Sequence, residues 1–265
     1  MHPPRLQLVE LEDQPWWPLW LRNYQTDLLE RINRFMRFYD GCLPRLRGLL
    51  EASGESQILD LCSGGGGPWP DWLERRCFSL PVQLSDLYPN EQAFRRLESR
   101  HPGLRGIDRS LDMLQLGSDP PGLRTLFTAL HHLPPDGVRR LLHRVSRSGR
   151  PLAAFDFNHR SWLNLLIVVP LAWLMSWLLT PLLRPSLRRL LATYVVPLVP
   201  LALAWDGLVS QLRAYRCEEL VELLPCDPDY QWEVGSYRWH GLLTITYLLG
   251  RPQRQSPSSE NDAQK

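Results

Sequence analysis

At 265 residues the chain is long enough to bury one full core and still carry an insertion. Its formal net charge is only +2 and its sole lysine is Lys265, so bulk charge predicts no nucleic-acid partner, and both a Schiff-base lysine and a phosphate-loop lysine are excluded from the body of the chain. The five cysteines (Cys42, Cys62, Cys77, Cys217, Cys226) are scattered without a CxxC pair, which argues against a disulfide framework or a zinc site, fits a reducing compartment, and leaves no metal site expected.

The chain starts MHPPRLQLVELEDQPWW, with no early apolar run, so no signal peptide is expected. Residues 1–50 read as a helical cap. Between Thr26 and Tyr39 the apolar Leu28, Leu29, Ile32, Phe35, Met36 and Phe38 recur at roughly helical spacing, and Leu43–Ser53 is a second helix ended by Gly54.

From residue 51 to 160 the pattern changes to short apolar runs with helices between several of them. QILDL ends in Asp60 and runs into Cys62, Ser63 and four glycines, Gly64–Gly67. PVQLSDLY is a second strand ending at Asp86 and Leu87, followed by a helix over Asn90–Arg100. LRGIDRSLDM is a third strand and turn that holds Asp108 and Asp112, and LRTLFTAL is a fourth strand. A helix follows over Asp136–Gly149, with Val138, Leu141, Leu142 and Val145 on one face, Asp136 as its N-cap and Gly149 as its stop. LAAFDF is a fifth strand. This recurrence is the signature of a doubly wound, parallel α/β sheet.

Residues 161–205 are different. Residues 162–183 carry 22 residues without a charge, RPSLRR follows, and residues 190–205 add 16 more uncharged positions. The first run is long enough to cross a bilayer. Strands five and six belong to one sheet, so both ends of the insertion lie on one side. A two-helix span would put Arg184, Arg188 and Arg189 on the far side, against the positive-inside tendency, and Pro170, Pro181, Pro197 and Pro200 break long straight helices. The expectation is therefore a re-entrant or interfacial lid with its tryptophans at headgroup level, with a two-helix span or a buried lid as alternatives. The soluble pattern resumes over 206–252, with a short helix in CEELVELL and a terminal hairpin from QWEVGSYR and LLTITYLLG. Residues 253–265 are polar and expected to be disordered.

A strand that ends in an acid and glycines at the start of an α/β domain points to a nucleotide, because glycines let the backbone approach a ligand. The dinucleotide fingerprint GxGxxG fails, with Trp69 at the third glycine position. The stretch Asp60-Leu61-Cys62-Ser63-Gly64-Gly65-Gly66 instead resembles the first motif of the class I S-adenosylmethionine-dependent methyltransferases, D/E-x-G-x-G-x-G, with Cys62 in place of the first glycine. Asp86 matches the acid that holds the ribose hydroxyls, and Asp108 and Asp112 compete for the position near the adenine amino group. Residues 126–155 resemble the family's fourth and fifth motifs. The chain is also similar to bacterial members with an apolar insertion, which share the Glu12-Asp13-Gln14-Pro15-Trp16 stretch and the ending Ile245-Thr-Tyr-Leu followed by Gly250-Arg-Pro.

The resemblance implies a Rossmann-like, seven-stranded methyltransferase sheet with a terminal antiparallel strand, N-terminal helices and an apolar helical insertion after strand five. It implies S-adenosyl-L-methionine as cofactor, held by Asp60, Cys62, Ser63, Gly64, Gly66, Asp86, Leu87, Asp108 and Asp112. An apolar insertion where family members build the acceptor site implies a hydrophobic or lipid-like acceptor and a protein on the cytoplasmic side of the inner membrane, a soluble cytoplasmic protein being the alternative.

HHLPPDG, His131–Gly137, also matches the HHxxxDG signature of the condensation domains that join acyl chains and amino acids. Such a domain needs two lobes and far more chain, and Pro134 and Pro135 favour an extended entry to a helix that Asp136 would cap. Helix capping accounts for the DG half. What remains is His132, with His131 second, as a general base beside the cleft, and Asp156 and Asp206 as further candidates. Three functions are therefore carried: a membrane-associated methyltransferase, a catalytically inactive cofactor-binding scaffold on a membrane, and an HHxxxDG-type acyl transferase.

Overall fold

A computed structural model describes residues 3–115, 120–183 and 186–253. Arg184 and the tail from residue 254 lie outside the described residues, so the expectations placed on them have no structural counterpart.

In chain order the parallel strands are β1 (Ile58–Leu61), β2 (Val82–Leu84), β3 (Leu104–Gly106), β4 (Leu123–Phe127) and β5 (Leu152–Asp156). A hairpin of β6 (Tyr230–Trp239) and β7 (Leu243–Pro252) completes the sheet. The order is β3-β2-β1-β4-β5-β7-β6, with β7 antiparallel to both of its neighbours. This seven-stranded, Rossmann-like sheet has the parallel core and terminal antiparallel strand that the resemblance implies. β1 and β5 are buried at every position, Asp60 and Asp156 included, because helices cover both faces of the sheet there.

The helices are α1 (Leu19–Met36), α2 (Leu43–Ser53), α3 (Trp69–Glu74), α4 (Glu91–Arg100), α5 (Pro135–Ser148), α6 (Trp162–Leu179), α7 (Leu187–Leu190), α8 (Leu198–Arg213) and α9 (Cys217–Val221). One face of the sheet packs against α1, α2, α3, α4 and the insertion, the other against α5 and the segment around α9. On α5 the side chains of Val138, Leu141, Leu142 and Val145 are fully buried, while Arg139, Arg140, Arg144 and Arg147 form the solvated face.

Several local expectations need correction. α1 starts at Leu19 and ends at Met36, earlier than the pattern predicts, because Arg37 takes a left-handed conformation and turns Phe38 into the core. α3 is absent from the sequence reading. Its Gly-Pro-Trp-Pro start looks like a breaker, yet Pro70 lies in the first turn, where its missing N–H costs nothing. The third strand spans only Leu104–Gly106. Asp136 is not the N-cap of α5; the helix starts one residue earlier at Pro135, with Pro134 in the cap position. Gly149 and Gly54 do end their helices with positive φ. Pro170 does not end α6, which continues past it to Leu179, and Pro200 sits in the first turn of α8. α8 itself continues to Arg213, past the boundary expected at residue 205.

Candidate functional site

The strand order reverses between β1 and β4, and a cavity of about 530 Å³ opens at their carboxyl ends. That is where open α/β sheets bind ligands, and the volume is within the roughly 300–1,000 Å³ of small-molecule sites. Its lining includes Asp60, Cys62, Ser63, Gly64, Asp86, Leu87, Asp112, His131 and His132. Of the residues nominated from sequence, Gly66, Asp108 and Asp156 do not reach the lining, whereas Asp206 does.

The loop after β1 is built by hydrogen bonds to carboxylates. Gly64 N–H donates to Asp86 Oδ2 and Tyr88 N–H to Asp86 Oδ1, both at 2.9 Å, so Asp86 ties the ends of β1 and β2 together at the cavity wall. Asp60 faces inward. Its carboxylate accepts from Thr125 Oγ1 (2.6 Å) and Ser63 Oγ (2.7 Å), and burial pushes it up to about 7. Cys62 takes φ of 58°, the left-handed region that favours glycine, at the position where the family motif has its first glycine. Burial pushes its thiol up, away from the reactive thiolate. Gly65 lies under α1; a Cβ there would stand 2.4 Å from the Thr26 carbonyl oxygen. Asp112 accepts from Leu114 N–H (2.8 Å) at the far end of the cavity.

His131 and His132 form a short turn directly after β4, their rings 4.3 Å apart. The structure adds partners that no local sequence signal reveals. The N-terminal segment runs across the site, held by Leu6 N–H to the Leu212 carbonyl and by Leu11 N–H to Asp206 Oδ1. It delivers Glu10, Glu12 and Asp13 to the histidines. His132 Nδ1 is 2.7 Å from Asp13 Oδ1 and 2.9 Å from Glu10 Oε2; His131 Nδ1 is 2.8 Å from Asp156 Oδ2. Arg213 Nη1 donates to Asp13 Oδ2 (2.7 Å). Burial opposes charge on His132, but the Glu10 and Asp13 carboxylates outweigh it and hold the imidazole well above its ordinary range. Burial and Asp206 push Glu12 well above the usual carboxylate range, and burial pushes Asp206 itself up to about 7. The separation of 119 residues between Asp13 and His132 is why spacing alone missed the cluster. The Glu12-Asp13-Gln14-Pro15-Trp16 resemblance was the available hint. Asp136 points away, with its side chain 79% exposed and paired to Arg139, so the two halves of HHxxxDG do not form one site.

The insertion closes the same cavity. Val168, Leu171, Ala172 and Met175 of α6 and Leu203 of α8 line it from above. The turn between the two helices folds back onto α1. Arg189 Nη2 pairs with Asp27 Oδ2 (2.9 Å), Arg188 stacks 3.9 Å over the Trp20 ring, and Tyr24 O–H donates to Thr180 Oγ1 (2.6 Å). The outer surface carries exposed apolar side chains: Trp162, Leu163, Leu166, Leu174, Trp177 and Leu178 on α6, and Leu198, Leu201 and Trp205 on α8. Among the described residues one stretch, Trp162–Leu182, is long and apolar enough to cross a membrane. The second apolar stretch is bent by 68° between Leu187–Val195 and Leu198–Arg213.

No family model and no curated protein matches the chain. Among solved structures it is similar to a candidate O-methyltransferase from Nostoc punctiforme (12% identity, covering 80% of this chain and 56% of that one, TM-score 0.46). It is also similar to the plantazolicin methyltransferase BpumL in complex with SAH (11%, 89% and 98%, 0.46) and to the mitomycin 7-O-methyltransferase MmcR (20%, 91% and 70%, 0.43). The chain spans just over half the length of the Nostoc protein. At such identities and scores the likeness bears on no activity or substrate.

Proposed function

We propose that this chain is an S-adenosylmethionine-dependent methyltransferase that works at a membrane surface on a hydrophobic or lipid-like acceptor. The observation that carries the reading is a single cavity with two unlike walls: a glycine loop clasped by Asp86 at the switch point of the sheet, and an apolar roof from α6 and α8.

The donor set fits the cofactor. Each Asp86 oxygen accepts one backbone N–H and keeps a lone pair for a ribose hydroxyl. Leu87 and Leu111 offer apolar wall beside it, and Asp112, which lines the cavity where Asp108 does not, is the acid for the adenine amino group. Gly64 and Cys62, both at positive φ, keep side-chain bulk away from the ligand. Asp60 and Ser63 hold the loop rather than the ligand. When bound, the sulfonium cofactor supplies an already activated methyl group, so the protein's own task is alignment and exclusion of water. α6 and α8 exclude water, and His131 and His132 hold the acceptor's reacting atom at the cavity floor.

The lid reading rests on the tip contacts. Arg188 and Arg189 are bound to α1, so the apolar hairpin lies against its own domain rather than reaching across a bilayer. Its apolar outer face is far larger than the scattered exposed leucines of ordinary surfaces, and three tryptophans border it, as at a lipid headgroup layer. We place the protein on the cytoplasmic face of a membrane, with lipid as the partner of that surface.

Calorimetry with S-adenosylmethionine, followed by turnover of methyl-labelled donor with total lipid extract, tests this reading. Donor binding and label in a lipid product are expected. Failure to bind the donor overturns the methyltransferase, and label transferred only to water-soluble acceptors overturns the lipid assignment.

A further inference from the structure

Three donor groups converge at the cavity floor. His131 Nε2 stands 3.5 Å from Glu10 Oε1 and His132 Nδ1 stands 2.9 Å from Glu10 Oε2. One ligand atom from each of the three residues lies within 4.8 Å of the other two. Glu10 is fully buried, and the group nearest its Oε2 is the His132 ring, whose Nδ1 lies 2.9 Å away and also meets Asp13 Oδ1 at 2.7 Å. A fully buried carboxylate facing two imidazole nitrogens is costly unless positive charge offsets it, and a cation between the three groups supplies that charge.

The surroundings are those of a built metal site. Asp156 Oδ2, 2.8 Å from His131 Nδ1, fixes the tautomer that leaves the Nε2 lone pair directed toward Glu10, the carboxylate–histidine arrangement that orients metal ligands. Asp156 is fixed in turn by Asn158 N–H at its other oxygen (2.9 Å). Arg213 Nη1, 3.2 Å from Glu10 Oε1 and 2.7 Å from Asp13 Oδ2, steers both carboxylates. Glu10, Asp13 and Asp156 set three negative charges against Arg213 and a proton on His132, and a divalent ion takes the place of that proton, which is released as the metal binds.

We propose that Glu10, His131 and His132 bind one divalent transition-metal ion, zinc before others, with an open coordination position facing the cavity. Two imidazoles and one carboxylate form a three-ligand set of the kind that keeps a fourth position free on zinc. Magnesium and calcium prefer all-oxygen ligands. Because His131 and His132 line the cavity, the open position faces the acceptor space. Taken with the methyltransferase reading, on which this one step rests, that narrows the acceptor to an oxygen nucleophile such as a phenol or an enol, held by the metal opposite the methyl donor. Metal binding itself is independent of that reading.

The test uses the full chain, stripped with chelator, equilibrated with zinc alone and desalted. About one zinc per chain is expected by elemental analysis. Glu10→Gln is expected to weaken zinc binding by more than about 100-fold and Asp156→Asn by about 10- to 100-fold, as loss of an orienting partner does. His143→Gln, on the solvated face of α5, is expected to leave it unchanged. Circular dichroism reports whether each variant folds. If Glu10→Gln does not fold, the cobalt-substituted wild type still decides, with a tetrahedral visible spectrum expected and no thiolate charge-transfer band. Zinc that is not retained, zinc retained equally by folded Glu10→Gln, or a thiolate band in the cobalt protein each overturns the site. Because the readout is bound metal, its failure is distinguishable from a failure of methyl transfer.

Discussion

Gly65 and Asp60 show how single positions set the glycine loop. A methyl group on Gly65 would meet the backbone of α1 at Thr26, which no side-chain rotation relieves. Gly65→Ala is therefore expected to destabilise by about 1–3 kcal/mol, read as a lower Tm. Asp86→Ala is expected to raise the Kd for the donor by more than tenfold and to lower Tm as well, since Gly64 and Tyr88 N–H lose their acceptor; unchanged calorimetric binding would sink the ribose assignment. Asp60 carries a pH signature. Its carboxyl is raised from an ordinary 3.8 to about 7, so the native state holds a proton that the unfolded chain releases between those values. Its contribution is fully present below about pH 4 and is lost as pH rises through about 7. Urea titrations from pH 4 to 8 should show this decline, and Asp60→Asn should flatten it. At this scale the sequence was legible where residue types constrain the backbone: Asp86 and Gly64, singled out by their place after apolar strands, both line the cavity, and Cys62 takes a left-handed φ that favours glycine.

Among the elements, the α6–α8 hairpin carries the testable mechanics. Arg189 is the link from its tip to Asp27, which keeps Arg96 as a second partner at 2.9 Å. Loss of Arg189 thus leaves no unpaired buried acid, and Arg189→Ala is expected to cost about 1–2 kcal/mol, between an exposed and a buried pair. Faster amide exchange confined to residues 162–183 would locate the loss in the lid; uniform exchange would refute the tether. The existence of both apolar runs was plain from composition. So was the break before α8, which falls at Pro197, one of the four prolines expected to interrupt the insertion; Pro170 is instead tolerated inside α6. α3 was missed for a related reason: a glycine–proline start reads as a turn until Trp69 and Trp72 are seen buried together.

On the scale of the whole molecule, the outer face of the hairpin is where a membrane would meet the protein. Leu166 on α6 and Leu187 on the neighbouring α7 are each 73% exposed. The double change Leu166→Glu and Leu187→Glu is expected to lower co-sedimentation with vesicles of anionic lipid at least tenfold, while donor binding stays unchanged. Equal sedimentation of the two proteins would remove the membrane surface from the proposal.

The sequence by itself determined the sheet class, the strand ends that carry Asp60 and Asp86, and the apolar character of the insertion. These follow from local periodicity and from residue types that only certain backbones accept. Tertiary structure alone decided that Asp112 and not Asp108 faces the cavity, that Arg188 and Arg189 turn back onto α1, and that Glu10 and Asp13 meet His131 and His132. Each of those contacts joins residues separated by loops or by more than a hundred positions. Their pairing is set by where the sheet order and the N-terminal strap bring them, which no local pattern records.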